Sequence, residues 1–369
     1  MEPLDCLEDK ESHSRLKAFE GRLRQKAREQ GVPLTGLFEL TPRCTLDCAM
    51  CYVHLSDSQM KREELTVDQW LRIIDEACDA GMLYATLTGG ECLMYPGFRQ
   101  IYQHLQDRGV LVTVLTNGTL LDEDTVSWLA QRKPQRVQIS VYGSSPQGYR
   151  AVTGSGEAFH RVDRAIDLIQ AANIALDLAV TVSKQMMPDF EAILRYARTK
   201  GIVNCHVNPC PFESREETGR AFEDYAPSLD EQVEIFRIQR KLYDEMVEAE
   251  SIHVMPAERK DSAVLPERGI ICSAGSNSFS INWAGKMLPC SVFDFAGGYP
   301  LREGFTAVWR RMNRGCAEYL NPRECVGCAY FNVCRFCPAG HYLKVGEGRA
   351  NPAVCAEGRR MVEEKIRVL

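Results

Sequence analysis

The sequence contains no apolar run long enough to span a membrane and no surplus of basic residues. No segment approaches the roughly 18 to 20 apolar residues that a membrane helix needs. Lysine and arginine together number 44, against 50 aspartate and glutamate residues, which gives a formal net charge of −6. Nucleic-acid-binding proteins usually carry a basic surplus. We therefore expect neither a membrane nor a nucleic acid among the partners of this protein.

The N-terminal region also lacks the apolar core of a signal peptide. Residues 1–30 are dense in Glu, Lys and Arg, and they predict a solvated helix. The absence of a signal favours the cytoplasm, where thiols stay reduced. The chain nevertheless has 16 cysteines. Metal binding is the leading explanation for so many cysteines in such a compartment.

Short apolar runs alternate with longer amphipathic segments between Pro33 and Pro209, which indicates a parallel α/β sheet. Six such units fall short of the eight in a closed barrel of roughly 250 residues. We therefore expect a partial (β/α)6 TIM-like barrel. The predicted strands are Gly36–Leu40, Tyr84–Thr88, Leu111–Leu115, Val137–Tyr142, Leu176–Val182 and Val203–Val207. The predicted helices are Val67–Ala80, Phe98–Asp107, Glu123–Gln131, Phe159–Ala171 and Asp189–Thr199, and several begin beside a capping residue.

Changes in composition divide the chain into three expected parts. Residues 1–33 form a charged helical extension, and residues 34–250 form the barrel, with a connecting helix over 228–250. Residues 270–369 form a small domain that is dense in cysteine, glycine and aromatic residues. Helical periodicity weakens there until Pro352. This pattern predicts a domain held together by metal in place of a large apolar core.

A first cysteine run, C-x3-C-x2-C, follows the first predicted strand directly and consists of Cys44, Cys48 and Cys51. In α/β barrels, catalytic groups lie at the carboxyl ends of strands. Three thiolates can hold three irons of a [4Fe–4S] cluster and leave the fourth iron open. A zinc site with a distant fourth ligand is the alternative, although zinc knuckles favour paired C-x2-C elements.

This run resembles the signature of radical S-adenosylmethionine (SAM) enzymes. The resemblance implies that the open iron chelates the amino and carboxylate groups of the cofactor. It also implies that one electron from the cluster cleaves the S–C5′ bond and yields a 5′-deoxyadenosyl radical, which abstracts a hydrogen atom from the substrate. Met50 stands where the family usually has an aromatic residue near the adenine, and a methionine can fill that place.

Three further motifs agree with the resemblance, each at the end of a predicted strand. Gly89, Gly90 and Glu91 are similar to the family's GGE motif, in which the glycines allow close backbone approach. The resemblance implies that Glu91 accepts a hydrogen bond from the methionine amino group of the cofactor. It also implies ribose and carboxylate contacts from Asn117 and Ser140. No catalytic acid or base is assigned by the sequence.

A second set of cysteines, near the C-terminus, resembles the SPASM extension of these enzymes, which carries two auxiliary [4Fe–4S] clusters. The resemblance implies that the inner cluster has three ligands and the outer cluster four. The additional cysteine usual upstream of Cys272 is missing here. The inner cluster therefore has an open iron, or Cys316 supplies a fourth thiolate. Two structural zinc sites are the alternative for this set. The expected inner ligands are Cys272, Cys290 and Cys337, and the expected outer ligands are Cys325, Cys328, Cys334 and Cys355.

The SPASM resemblance implies a peptide or protein substrate, and we expect a ribosomally made precursor that receives a thioether or carbon–carbon crosslink. A sulfatase-maturing enzyme is an alternative, but Ser291 stands where that branch has an acidic residue, with Asp294 close by. An iron–sulfur electron carrier and a zinc-binding interaction protein are alternatives of other classes. We expect a flavodoxin- or ferredoxin-type reductant as a partner. A separate protein, the loop near Glu213–Asp224 or the N-terminal helix would recognise a leader peptide.

Overall fold

A computed structural model describes residues 6–56, 63–202, 204–210, 213, 219, 221–248, 265–331, 333, 334 and 336–364. The predictions for the ends of the chain, for Val203, for residues 249 and 250 and for much of the loop near Glu213–Asp224 lie outside these residues. The charged N-terminal segment forms a helix, α1 (Cys6–Gln30). No helix in the described ranges is both long enough and apolar enough to cross a membrane.

The described strands form one sheet in the order β6-β5-β4-β3-β2-β1-β7-β8, and β1 to β6 are all parallel. This arrangement is an open, partial barrel, so the predicted fold class is confirmed. The strand β7 (Ser278–Ile281) runs parallel to β1, and β8 (Met287–Leu288) pairs with it in the antiparallel direction. The six barrel strands are β1 (Thr35–Glu39), β2 (Tyr84–Thr88), β3 (Leu111–Thr116), β4 (Arg136–Ser140), β5 (Leu176–Thr181) and β6 (Cys205–Asn208).

Two of the helices between the strands begin at caps that the sequence indicated. The Thr66 side chain accepts a hydrogen bond from the Gln69 amide and completes a capping box with the Gln69 side chain. Asp122 caps the fourth helix through the Thr125 amide, at 2.8 Å. These helices are α2 (Val67–Asp79), α3 (Phe98–Asp107), α4 (Glu123–Gln131), α5 (Pro146–Thr153), α6 (Glu157–Ala171) and α7 (Phe190–Thr199).

One helix of the barrel, α5, was not predicted. It is only eight residues long, and residues at its two ends set its bounds. Ser145 is its N-cap, Pro146 is its first residue, and Gly154 ends it in a left-handed conformation. The Ala49 amide donates to the Val152 carbonyl oxygen at 2.9 Å. The helix therefore supports the loop that carries the first cysteine run.

The C-terminal third contains more regular structure than the weak periodicity predicted. Helix α11 (Phe305–Glu318) buries Phe305, Val308, Trp309, Met312 and Cys316, which is an ordinary helical stripe. The expectation of weakened helical periodicity up to Pro352 was therefore wrong for this segment. The other helices after β6 are α8 (Phe222–Tyr225), α9 (Leu229–Glu248), α10 (Pro300–Glu303), α12 (Pro338–Val345) and α13 (Pro352–Glu363).

Aromatic contacts join this third of the chain to the barrel. Phe279 on β7 makes edge-to-face contacts with Phe38 on β1 and with Phe305 and Trp309 on α11, at centroid distances of 5.9, 5.1 and 6.1 Å. These residues belong to one continuous hydrophobic core. The division into domains at residues 34–250 and 270–369 stays a prediction, because the sheet and the core continue across that boundary.

Replacing Phe279 with Ala should destabilise the protein by about 3–5 kcal/mol, because a fully packed aromatic side chain would leave a cavity. The measurement is the free energy of unfolding of the metal-free protein in denaturant. Phe19→Ala is the matched control, since Phe19 is 54% exposed on α1 and its loss should change stability by less than about 0.5 kcal/mol. Equal effects of the two changes would contradict the packing described for β7.

Candidate functional site

The loop after β1 carries the first cysteine run and is fixed at its start by a partly buried polar cluster. The Thr41 hydroxyl and the Arg43 guanidinium both bind the Glu64 carboxylate, and the Arg43 Nε–Glu64 Oε1 distance is 3.1 Å. The Arg43 amide donates to Thr41 Oγ1 at 3.1 Å. Because Thr41 is fully buried, the loop leaves the strand in a set direction.

The turn after β2 packs directly on this loop. The Gly90 amide donates to the Thr41 carbonyl oxygen at 2.7 Å, and the Glu91 amide donates to the Arg43 carbonyl oxygen at 2.8 Å. A Cβ atom placed on Gly89 or Gly90 would lie 2.4 Å from one of these two carbonyl oxygens. Gly89 also has a φ of +145°, which L-residues rarely adopt. Glycine is therefore required at both positions, because the turn after β2 lies too close to the backbone of the loop after β1 to leave room for a side chain.

Amide groups point at the sulfurs of Cys44 and Cys51. Asn117 Nδ2 lies 3.3 Å from Cys44 Sγ, and the His54 amide lies 3.2 Å from Cys51 Sγ. The Leu46 amide lies 3.5 Å from Cys44 Sγ. Such donors stabilise negative charge on sulfur, which is the form in which cysteine binds metal.

Burial, with the charges of Glu91 and Cys51, raises the pKa of Cys44 to about 12, although the hydrogen bonds from Leu46 and Asn117 oppose this rise. A bound metal would supply the positive charge that a thiolate in this position needs. Within the described residues, no group of three or more His, Cys, Asp or Glu side chains is arranged to hold a single metal ion. A cluster of several irons differs from such a site, because each thiolate has its own iron.

Glu91 is fully buried. It does not line the cavity that lies at the carboxyl ends of the strands, which is described below. Its carboxylate accepts hydrogen bonds from the Thr116 hydroxyl at 2.8 Å, the Asn117 amide at 2.8 Å and the Leu93 amide at 3.0 Å. Burial raises its pKa, and these hydrogen bonds act in the opposite direction. The acceptor role expected for Glu91 towards a cofactor therefore competes with these protein donors. In this structure the residue joins the ends of β2 and β3.

A cavity of about 370 Å³ opens at the carboxyl ends of the strands beside the first cysteine run. Most of the predicted contact residues line it, and they come from loops that follow β1, β2 and β3 and from the end of β4. Cys44 lies behind this surface, in contact with Asn117. The predicted residues that line the cavity are Cys48, Met50, Cys51, Gly89, Gly90, Asn117 and Ser140.

One wall of the cavity was missed by sequence reasoning. It consists of polar side chains that face inward from β4, β5 and β6, namely Gln138, Thr181, His206 and Asn208. Alternation of polar and apolar residues in Arg-Val-Gln-Ile-Ser and Cys-His-Val-Asn is the signal that could have identified them, because alternate residues of a strand share a face.

The imidazole of His206 is held from the inner face of the neighbouring strand. Asp177 Oδ2 lies 3.3 Å from His206 Nε2 and 2.5 Å from Arg136 Nη1. Burial opposes the charge of Asp177, yet the hydrogen bonds from Arg136, Asn204 and His206 lower its pKa. The side chain of His206 remains 59% exposed to the cavity side. A buried carboxylate thus orients an accessible imidazole.

The C-terminal cysteines fall into two groups, and within each group the thiols raise the pKa values of their neighbours. The thiols of Cys328, Cys334 and Cys355 each raise the pKa of Cys325, after the larger effect of burial. This group contains the four predicted outer ligands. In the other group, the thiols of Cys337 and Cys272 raise the pKa of Cys290, after the larger effect of burial. The thiols of Cys272 and Cys290 likewise raise the pKa of Cys316. The three predicted inner ligands therefore lie together, with Cys316 beside them.

The segment after Cys290 reaches the loop of the first cysteine run. The Tyr52 hydroxyl lies 3.4 Å from Ser291 Oγ. Asp294 instead forms an ion pair with Lys286, with 2.5 Å between Nζ and Oδ2, and most of its side chain is exposed. Neither side chain places a free carboxylate at the position where a sulfatase-maturing enzyme would have one.

Residues 38–197 match the family model described as the Radical SAM superfamily. Two curated relatives illustrate the range of similar proteins. An AdoMet-dependent heme synthase of Methanosarcina barkeri is 26% identical, over 84% of this chain and 92% of its own length. The antilisterial bacteriocin subtilosin biosynthesis protein AlbA of Bacillus subtilis is 25% identical, over 75% of this chain and 60% of its own length.

Solved structures share the fold at low sequence identity. The structure of anSMEcpe with bound AdoMet has a TM-score of 0.70 and 16% identity, and the match covers 90% of this chain and 93% of that one. Streptococcus suis SuiB bound to the precursor peptide SuiA has a TM-score of 0.66 and 18% identity, with 91% and 80% covered. These likenesses extend the shared fold beyond the barrel into the C-terminal third.

Replacing Gly90 with Ala should displace the loop of the first cysteine run, because the new Cβ would collide with the Arg43 and Pro42 carbonyl oxygens. We expect a loss of about 1–3 kcal/mol in stability and a lower iron content after anaerobic reconstitution. Thermal unfolding of the metal-free protein and iron analysis measure these effects. Gly21→Ala is the control, since a Cβ at Gly21 meets no atom within 4 Å. Unchanged iron content in Gly90→Ala would contradict the role given to this contact.

Proposed function

Because this chain carries a radical SAM domain over residues 38–197, we propose that it cleaves S-adenosylmethionine reductively and uses the radical to modify a peptide. The modification is the crosslinking of a ribosomally made precursor. The observation that carries this proposal is the cavity at the carboxyl ends of the strands, where the thiols of one short cysteine run meet the double-glycine turn.

In this proposal Cys44, Cys48 and Cys51 hold a [4Fe–4S] cluster. The donors aimed at Cys44 and Cys51 support this ligation, since they favour the thiolate over the thiol. When bound, the reduced cluster supplies the electron that cleaves the cofactor to methionine and a 5′-deoxyadenosyl radical. The cofactor would lie in the cavity of about 370 Å³, away from bulk water.

The same cavity supports the proposed cofactor contacts. Met50, Gly89, Gly90, Asn117 and Ser140 all line it. The backbone of the two glycines can approach the cofactor closely, and Met50 offers an apolar surface for the adenine. Glu91 would contribute by fixing the Asn117 backbone, because its carboxylate accepts the Asn117 amide hydrogen bond.

In the C-terminal third, we propose that Cys325, Cys328, Cys334 and Cys355 bind an outer auxiliary [4Fe–4S] cluster and that Cys272, Cys290 and Cys337 bind an inner one. The two groups of mutually interacting thiols support this division. The proximity of the thiols within each group also supports metal binding, since several neighbouring thiolates without a cation would repel one another.

A peptide substrate is supported by two similarities and by the polar wall. AlbA is a biosynthesis protein of the bacteriocin subtilosin, and SuiB has been crystallised with its precursor peptide SuiA. Gln138, His206 and Asn208 present amide and imidazole groups that can hydrogen-bond to a peptide backbone. His206 is the residue best placed to accept or donate a proton, because Asp177 orients its ring.

A heme-type substrate is the second candidate. The heme synthase of Methanosarcina barkeri aligns with 84% of this chain, which is a larger share than AlbA covers. A sulfatase-maturing function receives less support, because Asp294 is paired with Lys286 and Ser291 carries no charge. We further propose a cytoplasmic location, a flavodoxin- or ferredoxin-type reductant, and a separate protein for leader recognition.

Replacing Cys44, Cys48 and Cys51 with Ala should abolish the formation of 5′-deoxyadenosine, because no cluster would remain to bind and reduce the cofactor. The assay is anaerobic incubation with dithionite and S-adenosylmethionine, followed by chromatography. Cys78→Ala is the control, since Cys78 is a half-buried residue of α2 that lies in neither C-terminal group. Failure of the unmodified protein to cleave the cofactor, with zinc bound and no iron, would refute the proposed enzyme.

Replacing His206 with Gln should leave cofactor cleavage intact and slow the modification of substrate by at least roughly a hundredfold, the lower end of acid–base contributions. The substrate for this test is a short precursor peptide encoded beside the gene, and a crosslink is detected as the loss of two hydrogen atoms by mass spectrometry. Ser56→Ala, in the described loop after the cysteine run, tests for nonspecific effects. Modification of a porphyrin supplied in place of the peptide, with no reaction of the peptide itself, would select the second candidate.

A further inference from the structure

Helix α11 packs with one face on the turn that carries Cys272. The Ile270 amide donates to the Cys316 carbonyl oxygen at 3.0 Å. Asn313 lies one turn earlier on the same face, and its Nδ2 donates to the Gly275 carbonyl oxygen at 2.9 Å. The Ser276 hydroxyl in turn donates to the Cys272 carbonyl oxygen at 3.1 Å. The turn and the helix are therefore held in one arrangement.

Gly275 permits the closest approach between these two elements. A Cβ placed on it would lie 2.3 Å from Cys316 Sγ, so any side chain there would displace the sulfur. The same Cβ would lie 3.5 Å from Pro289, the residue before Cys290. Gly275 also has a φ of +64°, which favours glycine. The sulfur of Cys316 thus faces the backbone between Cys272 and Cys290.

The pKa shifts of the neighbouring thiols agree with this position of the Cys316 sulfur. Burial raises the pKa of Cys316 to about 12, and the thiols of Cys272 and Cys290 add to the rise. Burial likewise raises the pKa of Cys290 to about 12, with further contributions from Cys337 and Cys272. Cys316 therefore lies within electrostatic reach of two of the three expected inner ligands, Cys272 and Cys290.

The remaining member of the group is fixed by the end of the same helix. Tyr319, which follows α11, donates from its hydroxyl to the Pro338 carbonyl oxygen at 3.4 Å. Pro338 follows Cys337 directly, so Tyr319 ties the position of Cys337 to that of α11. Cys316, on this helix, is thereby held in register with both Cys272 and Cys337.

We propose that Cys316 is the fourth thiolate ligand of the inner auxiliary cluster, completing a set with Cys272, Cys290 and Cys337. This inference rests on the proposed function in one respect, namely that the other three cysteines bind that cluster. A cluster with four protein thiolates has no iron coordination position left for a substrate. The sulfur of a peptide cysteine would then meet the radical without first binding to the inner cluster.

The test uses the full chain with Cys44, Cys48 and Cys51 replaced by Ala, so that all remaining iron belongs to the auxiliary sites. This background protein should hold about eight irons per chain, and cyanide should leave its electron paramagnetic resonance spectrum unchanged, because no iron is open. Adding Cys316→Ala should either lower the iron content by about four or create a cluster whose spectrum cyanide shifts. Adding Cys78→Ala instead should do neither.

Two results would overturn the inference by itself. One is a cyanide-induced shift in the background protein, which would reveal an open iron while Cys316 is present, and this measurement does not depend on the folding of a Cys316 variant. The other is a Cys316→Ala protein with full iron and a spectrum that cyanide leaves unchanged. Loss of all iron from the background protein would instead overturn the auxiliary sites as a whole, without affecting cofactor cleavage by the first cysteine run.

Discussion

The candidate site depends on the contact between two backbones at the carboxyl edge of the sheet. The turn after β2 donates two amide hydrogen bonds to carbonyl oxygens of the loop after β1. This close contact is possible because residues 89 and 90 are glycines. This contact sets where the first cysteine run begins. Glu91 extends the arrangement to β3 by binding the Asn117 amide, and Asn117 in turn donates to Cys44. Three consecutive strand ends are thus joined through backbone atoms and two side chains.

Much of the barrel could be predicted because each strand is a short apolar run followed by an amphipathic helix with a capping residue. The β2 strand and the α3 helix agree with their predicted bounds residue for residue. Helix α5 was missed because eight residues give too few turns for periodicity to be recognised. Helix α11 was missed because its apolar stripe lies within a cysteine-rich region, where composition outweighed spacing. The strands β7 and β8 are too short to be told from loops.

The site could be predicted only where residues adjacent in sequence act together. The cysteine run, the double glycine and Asn117 fall into this class, since each belongs to a short motif at a strand end. The polar wall could not be found in this way, because Gln138 on β4 and His206 and Asn208 on β6 become neighbours only through their register with β5. The hydrogen bonds from Thr116 and Asn117 to Glu91 likewise depend on how β2 and β3 pair, which a single sequence does not state.

The burial of Cys316 has a consequence for how the protein is made. Only 2% of this residue is accessible in the folded chain, and the turn at Gly275 closes over its sulfur. An iron donor can reach such a thiol only while α11 and the turn are apart, that is, during folding or a local opening. With Cys316 as the ligand proposed above, cluster insertion and the docking of α11 would be ordered in time, with the helix closing last. Protein that folds before it meets iron would be kinetically trapped without its full complement.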